Sequence, residues 1–254
     1  MSHNFFSAND VETFRRRGYL FVRGMYGEPE VSRLRAWVDE LQALPEVPGR
    51  HMKYYEDSLL RPGERVLSRV ENFCPYHEGF NSLVNGAEML GRVSELFGEP
   101  AVLFKEKINF KMPGGGGFAA HQDAQAGWGA YASLFITVLV AVDECTLENG
   151  CLEMAGGHNG RGLVGSLWEP LTEEERRGME FVPLPAMPGD AVCFDSYAPH
   201  RSGPNLTPTP RRVLYLTYNR AAEGDHRERY YADKRRTYPP DIEREPGKQY
   251  VFKV

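Results

Sequence analysis

The spacing of apolar residues divides the chain into a helical first part and a β-rich second part. Apolar residues recur every three or four positions from Pro29 to Leu44 and from Ala87 to Phe97, which predicts two amphipathic helices. The segment Asp10 to Arg17, which Ser7 can cap, predicts a third helix. Tyr19 to Val22 predicts a strand. We therefore expect about the first hundred residues to be mainly helical.

After this point the apolar residues form short runs separated by turn residues, a pattern typical of β-strands. The predicted strands are Val102 to Lys111, Ala132 to Val142, Cys151 to Met154, Phe181 to Leu184, Ala191 to Phe194 and Arg211 to Tyr218. Asn149-Gly150 predicts a tight hairpin turn, and Pro188-Gly189-Asp190 predicts another turn. So many strands without intervening helices favour a double-sheet jelly roll, a cupin-like double-stranded β-helix, over an α/β fold.

The predicted fold class is therefore mainly β with helices (α+β), with the N-terminal helices packed on one sheet of the jelly roll. A chain of 254 residues fits a single domain. We expect a helical part over about residues 1–100, a jelly-roll core over about residues 101–220 and a tail over residues 221–254. The tail mixes both charge signs with tyrosines, which predicts a solvated amphipathic helix rather than a nucleic-acid-binding patch.

Composition and charge narrow the class of partner. The chain is 41% hydrophobic and 26% charged, and its net charge of −5 gives no general attraction to nucleic acid or anionic membranes. The longest apolar segment, Leu134 to Val142, is long enough only for a strand, so no membrane span is predicted. No secretory signal is recognised at the N-terminus, and the four cysteines form no C-x-x-C pair. Reduced thiols in the cytoplasm are therefore expected.

His121-Gln122-Asp123 and the distant His200 carry the most specific candidate chemistry. On a strand, residues two positions apart project from the same face, so His121 and Asp123 can bind one ion while Gln122 points away. His200 follows the predicted strand that ends at Phe194 and would reach the ion from a second strand. Two imidazoles and one carboxylate are a ligand set of non-haem Fe(II) that leaves positions open for substrate and oxygen. A lone His-x-Asp is usually a hydrogen-bonded surface pair, and its combination with His200 favours a metal site.

Several segments around these residues resemble those of a known family. They are Phe14 to Val22, Ile108 to Lys111, Asn149 to Met154, Gly157-His158, and His200-x-Ser202-Gly203-Pro204-Asn205 with Arg211. On these motifs the chain resembles the phytanoyl-CoA dioxygenase family, a branch of the Fe(II)/2-oxoglutarate-dependent oxygenases that includes ectoine hydroxylase. The resemblance extends over most of the chain, although Ala155-Gly156-Gly157 replaces the family's P-G-S.

The resemblance implies that the two histidines and the aspartate bind Fe(II) and that Arg211 binds the distal carboxylate of 2-oxoglutarate. A planar guanidinium can pair bidentately with a carboxylate. The resemblance also implies that Ser202 contacts this carboxylate and that Asn109 and Lys107 lie near the cosubstrate. Arg212 is the alternative to Arg211. Strand alternation places Arg212 on the opposite face, but a bulge would exchange the two residues.

The predicted strand before the metal motif has a polar face formed by Lys105, Lys107, Asn109 and Lys111. This face is either the solvent-exposed side of an edge strand or part of the barrel mouth, where it would bind anions. We favour the second interpretation for Lys107 and Asn109 and expect Lys111 to be solvated. A buried Lys107 would need a carboxylate partner.

Candidate substrate-binding residues flank the metal motifs and the last strand. They are Lys105, Gln125, Trp128, Tyr131, Arg201 and Arg220. The aromatic rings would stack on a ring or surround an ammonium group, or else would simply pack as part of a lid. The basic residues would receive a phosphonate, phosphate or carboxylate.

The function implied by the resemblance is hydroxylation of an unactivated C–H bond in a small metabolite, with Fe(II), 2-oxoglutarate and O2 required and succinate and CO2 as co-products. Ascorbate is the expected assay reductant. A zwitterionic or anionic substrate, such as an aminophosphonate or a natural-product intermediate, fits the basic candidates. Asp123 favours hydroxylation, because related halogenases replace this carboxylate with a small residue. The alternatives are a cupin-type metal-dependent isomerase or lyase without 2-oxoglutarate, and a non-catalytic sensor. The sequence predicts no oligomeric state.

Overall fold

The computed structural model describes residues 4–251. Its strands are β1 (Tyr19–Val22), β2 (Met52–Asp57), β3 (Arg65–Glu71), β4 (Ala101–Lys111), β5 (Phe118–His121), β6 (Phe135–Ala141), β7 (Leu152–Ala155), β8 (Phe181–Leu184), β9 (Ala191–Asp195), β10 (His200–Ser202) and β11 (Arg211–Arg220). Its α-helices are α1 (Ala8–Arg17), α2 (Glu28–Ala43), α3 (Glu78–Val84), α4 (Ala87–Phe97) and α5 (Arg227–Thr237).

The strands form two antiparallel sheets whose inner faces share a hydrophobic core. The larger sheet has seven strands in the order β1-β9-β6-β11-β4-β3-β2, and the smaller has four in the order β5-β10-β7-β8. The shared core contains Leu139 and Val213 from the larger sheet and Leu152 and Met154 from the smaller one. This architecture confirms the predicted jelly roll.

Side chains alternate between two cores along the central strands. The outer core lies between the N-terminal helices and the larger sheet, and the inner core lies between the two sheets. In β6, Val138 and Val140 belong to the outer core, whereas Leu139 and Ala141 belong to the inner core. Strand β11 divides its side chains in the same way and pairs with β4 on its other edge. The register of β11 and β4 therefore decides which basic side chains point between the sheets.

The N-terminal helices pack on the outer face of the larger sheet, as predicted. Their contributions to the outer core include Phe14, Leu34, Val38, Leu41, Phe80, Met89 and Val93. Ser7 caps α1 by accepting a hydrogen bond from the Asp10 amide at 3.1 Å, and the Asp10 carboxylate accepts from the Ser7 amide at 3.0 Å. This reciprocal box fixes the start of α1.

The expectation of a mainly helical first part is wrong over β2 and β3. In β3, Arg69 and Glu71 alternate with Val70, so the strand does not read as an apolar run. Both strands extend the larger sheet, and β1 forms its opposite edge. The jelly roll is therefore not confined to residues 101–220.

The two predicted turns form, but they connect strands of different sheets. Gly150 and Gly189 have positive φ values of 75° and 89°, which a glycine adopts without strain. The first turn leads from β6 to β7 and the second from β8 to β9. Asn149-Gly150 therefore does not close a two-stranded hairpin.

The tail contains the predicted helix, α5, but this helix is not simply solvated. Tyr230 and Tyr231 are buried and pack with Phe104 and Trp128. The Tyr231 hydroxyl donates to the carbonyl of Glu106 in β4 at 2.9 Å. Helix α5 is thus held against the sheet. Within residues 4–251, no helix is both long and apolar enough to cross a membrane.

Candidate active site

His121, Asp123 and His200 converge at the smaller sheet. His121 is the last residue of β5, His200 is the first of β10, and the two are direct partners in the sheet register. Asp123 Oδ1 lies 3.9 Å from Nε2 of each histidine. One ligand atom from each residue lies within 4.8 Å of the others. The structure thus brings together the residues from which the sequence predicted a metal site.

Backbone carbonyls orient both imidazoles. His121 Nδ1 lies 2.7 Å from the carbonyl oxygen of Ala119, and His200 Nδ1 lies 3.0 Å from that of Ala198. Each ring therefore donates its Nδ1 proton to a carbonyl, which leaves the Nε2 lone pair free to bind a metal ion. The two Nε2 atoms are the ones that face Asp123.

Asp123 reaches this position from a short 3-10 helix rather than from a strand. Gln122 is still extended (φ −108°, ψ 136°), and Asp123 begins the 3-10 helix Asp123–Ala126. The prediction that His121 and Asp123 share one strand is therefore wrong in detail. Asp123 Oδ2 accepts a hydrogen bond from the Thr137 hydroxyl at 3.4 Å. This contact leaves Oδ1 directed at the histidines.

Gln122 points away from the triad, as predicted, and joins two other segments of the chain. Its Nε2 donates to the carbonyls of Gly162 and Tyr197 at 2.8 and 2.7 Å. Its Oε1 accepts from the amide of Val164 at 2.7 Å. Gln122 therefore anchors the segment between β7 and β8 beside the metal ligands.

Burial sets the charge states of the triad. It lowers the pKa of His121 to about 3, and the neighbouring His200 contributes in the same direction. Burial acts to raise the pKa of Asp123, but electrostatic interactions with His200 and Lys107 outweigh this effect and hold the pKa below its ordinary value. Two neutral imidazoles and an ionised carboxylate are the donor set that Fe(II) requires.

Arg211 and Lys111 lie directly opposite each other in β11 and β4. Arg211 is 1% exposed, and its Nε and Nη2 atoms have no hydrogen-bond partner among residues 4–251. Lys111 is 2% exposed and donates to Ser202 Oγ at 2.7 Å. The expectation that Lys111 is solvated is therefore wrong. The two unpartnered nitrogens of this guanidinium fit a carboxylate ligand.

Arg212 faces the opposite side of β11, so no bulge exchanges the two arginines. Its Nε and Nη2 donate to Asp143 Oδ2 and Oδ1 at 2.7 and 3.0 Å. It also donates to Asp39 in α2. Because Arg212 is already paired on the outer face, it is not available to a ligand between the sheets.

A cavity of about 710 Å³ opens beside His121 and Asp123. Its aromatic lining is Phe118, Trp128, Tyr131, Trp168, Tyr230 and Tyr238. Its basic lining is Arg69, Lys105, Lys107, Arg229, Lys234 and Arg236, and its acidic lining is Glu71, Asp123 and Asp233. With Asp123 assigned to the metal, six basic side chains face two acidic ones, so the cavity favours an anionic ligand.

Two basic side chains of the cavity wall pair with a single buried carboxylate, Glu71. Glu71 Oε1 lies 3.0 Å from Arg69 Nε and 2.9 Å from Lys234 Nζ. Burial acts to raise the pKa of Glu71, but Lys234 and Arg69 lower it to about 2. Lys105 Nζ donates to the Tyr230 hydroxyl at 3.0 Å. We call Arg69, Lys105, Lys107 and Lys234 the cationic cluster.

Lys107 is the member of this cluster without a bonded partner. Within residues 4–251 its Nζ forms neither a hydrogen bond nor an ion pair, and it lies 4.8 Å from the centre of the Tyr215 ring. Burial, and then Lys105, lower the pKa of Lys107 to about 7. Nearby, Asn109 Oδ1 is buried and also lacks a hydrogen-bond partner among the described residues. Both polar groups can thus accommodate a ligand.

The structure places three of the six candidate substrate residues on the cavity wall: Lys105, Trp128 and Tyr131. The other three do not line it. Gln125 Nε2 is occupied by the carbonyls of Ser166 and Glu169, at 2.9 and 2.6 Å.

Both arginines among those three are paired outside the cavity. Arg201 donates to Glu153 at 2.8 Å. Arg220 pairs with Glu99 at 3.0 Å. Neither side chain therefore lines the cavity beside the metal ligands.

Cations of the protein already cover the aromatic rings that were expected to surround an ammonium group. Lys105 Nζ lies 4.7 Å from the Trp128 ring centre, and the Arg229 guanidinium lies 4.9 Å from that of Tyr131. The rings therefore position basic groups of the cavity wall.

Sequence reasoning missed the parts of the site that come from β3, α5 and the segment after β7. They are Arg69, Glu71, Trp168, Tyr230 and Lys234. The period-2 pattern Arg69-Val70-Glu71 was a signal for β3. The position of α5 against β4 had no local signal, because it depends on how the tail folds back.

Comparisons with known proteins show the family of the chain. The family model for phytanoyl-CoA dioxygenase (PhyH) matches residues 14–213. The 2-aminoethylphosphonate dioxygenase of uncultured bacterium HF130_AEPn_1 is 42% identical, over 97% of this chain and 94% of the relative. The methylphosphonate hydroxylase of Gimesia maris is also 42% identical, over 91% and 87%.

Solved structures agree on the fold. EctD from S. alaskensis with 2-oxoglutarate and 5-hydroxyectoine has a TM-score of 0.70 and 22% identity, over 86% of this chain and 77% of that one. The epimerase SnoN in complex with Fe3+, alpha ketoglutarate and nogalamycin RO has a TM-score of 0.71 and 20% identity, over 96% and 91%.

Fold, triad and relatives together define an iron- and 2-oxoglutarate-dependent dioxygenase of jelly-roll type. The chain belongs to the phytanoyl-CoA dioxygenase family. The relatives' activities favour this class over the isomerase, lyase and sensor alternatives.

Proposed function

We propose that this dioxygenase hydroxylates a C–H bond of a small phosphonate, with an aminoalkylphosphonate as the substrate. The cationic cluster beside the triad is the observation that carries the proposal. Arg69 and Lys234 pair there with the one carboxylate of Glu71, and Lys105 and Lys107 line the same cavity without a carboxylate partner among the described residues. A phosphonate supplies the missing negative charge and three oxygens that can accept hydrogen bonds from several donors at once.

The names of the two 42% identical relatives support the same substrate class, because both act on phosphonates. A cluster that contains three lysines suits a group with charge spread over three oxygens, since each ammonium acts as a point charge. A planar carboxylate would use fewer of these donors. We therefore expect the enzyme to prefer a phosphonate over a carboxylate of equal length.

We assign the cofactor positions as follows. His121, Asp123 and His200 would hold Fe(II), and the two unpartnered guanidinium nitrogens of Arg211 would bind the distal carboxylate of 2-oxoglutarate, beside Ser202. When bound, the iron and cosubstrate would activate O2, which is the oxidant for cleavage of the substrate C–H bond.

The remaining polar groups of the interior have separate roles. Asn109 and Lys107 would contact the cosubstrate or the substrate beside it in the cavity. Lys105 and the rest of the cationic cluster would fix the phosphonate, so that one carbon faces the metal.

We further propose that residues 1–254 form one oxygenase domain in the cytoplasm. The N-terminal helices share a core with the larger sheet, and α5 packs against β4, which supports one domain. All four cysteines are free, which supports a reducing compartment.

A substrate panel tests the proposal. Succinate formation is measured with Fe(II), ascorbate and 2-oxoglutarate in the presence of 2-aminoethylphosphonate, methylphosphonate, taurine or β-alanine. The first compound, its sulfonate analogue and its carboxylate analogue differ only in the acidic group. We expect kcat/KM for 2-aminoethylphosphonate to exceed that for taurine and β-alanine by at least about tenfold, the equivalent of one charged hydrogen bond. Equal turnover of β-alanine would contradict the assignment.

A further inference from the structure

The segment between β7 and β8 places one aromatic side chain, Trp168, at the solvent boundary of the cavity. Trp168 lines the cavity and is 47% exposed, so it belongs both to the cavity wall and to the outer surface. The neighbouring wall residue Trp128 is only 3% exposed. The position of the Trp168 ring therefore decides how far solvent reaches into the cavity.

The backbone of Trp168 has an unfavourable conformation. Its φ of 68° lies in the left-handed region, and within residues 4–251 the only other non-glycine residue with a positive φ is Asn72. Asparagine tolerates this region, whereas a bulky aromatic residue rarely adopts it. Such a conformation persists only where the surrounding contacts impose it.

Three hydrogen bonds of Gln125 impose this conformation. The backbone amide of Trp168 donates to the carbonyl of Gln125 at 2.7 Å. Gln125 Nε2 donates to the carbonyls of Ser166 and Glu169, on either side of Trp168, at 2.9 and 2.6 Å. Gln125 is 0% exposed, and its Oε1 accepts from the Gln122 amide at 2.8 Å. The side-chain amide is thus fixed in one orientation, with both N–H donors directed at the segment that carries Trp168.

Gly127 receives the Trp168 ring. A Cβ atom at Gly127 would lie 2.4 Å from Cζ2 and 2.8 Å from Cη2 of the indole, so only glycine permits the ring to lie this close to the backbone. Gly127 directly follows the 3-10 helix Asp123–Ala126, which also contains Gln125. The ring is therefore held by the same short helix that carries a metal ligand.

We propose that Trp168 shields the cationic cluster from solvent and that Gln125 is the positioning residue that holds Trp168 in place. This inference rests on the proposed function, because the shielded cations are those to which we assign the phosphonate. Gln125 touches neither substrate nor metal in this role. It acts through the backbone on both sides of Trp168.

Shielding has a defined effect on an anionic substrate. Attraction between the substrate and the cationic cluster is stronger where water and salt are excluded. When the ring leaves Gly127, solvent enters, so KM for the phosphonate should rise several-fold and become more sensitive to ionic strength. The metal ligands do not move, so kcat should change little. Arg211 does not line this cavity, so the affinity for 2-oxoglutarate should stay unchanged.

Gln125→Glu tests the positioning role with a side chain of the same shape. The variant keeps an acceptor for the Gln122 amide and places an oxygen against the two carbonyls that Nε2 now satisfies. Succinate formation with 2-aminoethylphosphonate is measured at low and high sodium chloride. We expect a higher KM with a steeper salt dependence. Gln42→Glu makes the same substitution at an exposed position of α2 and should match the unmodified enzyme.

A double-mutant cycle shows whether Gln125 acts through Trp168. In a Trp168→Ala background, Gln125→Glu should raise KM no further. Gly127→Ala provides a second route if Gln125→Glu does not fold, because the added methyl group must displace the ring. It should raise KM in the unmodified background and leave it unchanged in the Trp168→Ala background. Full additivity in either cycle would overturn the positioning role.

Fluorescence quenching by acrylamide tests the same contact without substrate. The chain has three tryptophans, and Trp168 is the exposed one on the cavity wall. In the Mn(II)-loaded protein, Gln125→Glu should increase quenching, and this increase should disappear in the Trp168→Ala background. If quenching and KM both stay unchanged in Gln125→Glu, the inference is wrong.

These results separate the inference from the proposed function. If the enzyme turns over no phosphonate, the proposed function fails, and the quenching experiment still decides whether Gln125 holds Trp168. If phosphonates are turned over and Trp168→Ala shows the same KM and salt dependence as the unmodified enzyme, the shielding role fails and the proposed function stands.

Discussion

Replacement of Lys105 by methionine separates substrate binding from cosubstrate binding. Lys105 is 5% exposed, lies on the cavity wall, and uses one N–H to donate to the Tyr230 hydroxyl at 3.0 Å. Its remaining donors are available to an anion in the cavity. Methionine keeps the length of the apolar stem, so the change removes charge and donors with little loss of packing.

The expected loss follows from the burial of this amine. A hydrogen bond to a charged group contributes about 1.5–3 kcal/mol, which corresponds to a fall of about 10- to 150-fold in kcat/KM for the phosphonate. Screening is weak at a site this enclosed. The 2-oxoglutarate affinity should stay unchanged, because Arg211, to which we assign the cosubstrate carboxylate, does not line this cavity.

Initial rates of succinate formation at saturating 2-oxoglutarate provide kcat/KM, and an anaerobic titration provides the cosubstrate affinity. Lys53→Met controls for the loss of a buried lysine elsewhere, because Lys53 is also 5% exposed and donates to the backbone carbonyls of Gln42 and Leu44. An unchanged kcat/KM for 2-aminoethylphosphonate in Lys105→Met would refute this account of the cavity. An equal loss of 2-oxoglutarate affinity would show that Lys105 belongs to the cosubstrate end.

Three further predictions concern the frame of the site. Gln122→Ala removes hydrogen bonds of 2.8, 2.7 and 2.7 Å, so the free energy of unfolding should fall by about 2–4 kcal/mol in a denaturant titration, and no measurable fall would contradict its anchoring role. Glu71 has its pKa lowered to about 2 from an ordinary value of 4.5. It therefore stabilises the fold above about pH 4.5, and this contribution disappears as the pH falls toward 2, so Glu71→Gln should flatten the acid side of the stability profile. Trp168 lines the cavity with a positive φ of 68° and contacts Gly127. Trp168→Ala should raise KM for the substrate several-fold and leave 2-oxoglutarate affinity unchanged, and a change in the latter alone would contradict its place at the substrate end.

The parts of the fold that local pattern determines were predictable from the sequence. The strands that alternate between two apolar cores, such as β6 and β11, carry a strong signal because both faces are buried. The metal triad was predictable because two of its ligands are two residues apart in the sequence, and only one further strand is needed to supply the third. Its one error was local, since Asp123 lies in a 3-10 helix.

The parts that depend on tertiary packing were not predictable in the same way. Strand β3 places Arg69 and Glu71 between the sheets, where a charged residue would not be expected without the partner that α5 supplies in Lys234. Lys111 was expected to be solvated because the sequence does not reveal its surroundings. Its partner across the sheet, Arg211, is 100 residues away in the chain. The cavity beside the metal ligands is thus formed by contacts between segments that are far apart in the sequence, such as β3 and α5.

Isotope labelling tests the central claim most directly. The Fe(II)-loaded protein is incubated with 2-oxoglutarate and 2-aminoethylphosphonate under 18O2, and the products are analysed by mass spectrometry. The account predicts a hydroxylated phosphonate that carries one 18O and succinate that carries the other, in equal amounts. Succinate without oxygen in the phosphonate, or no dependence of succinate on the phosphonate, would contradict it.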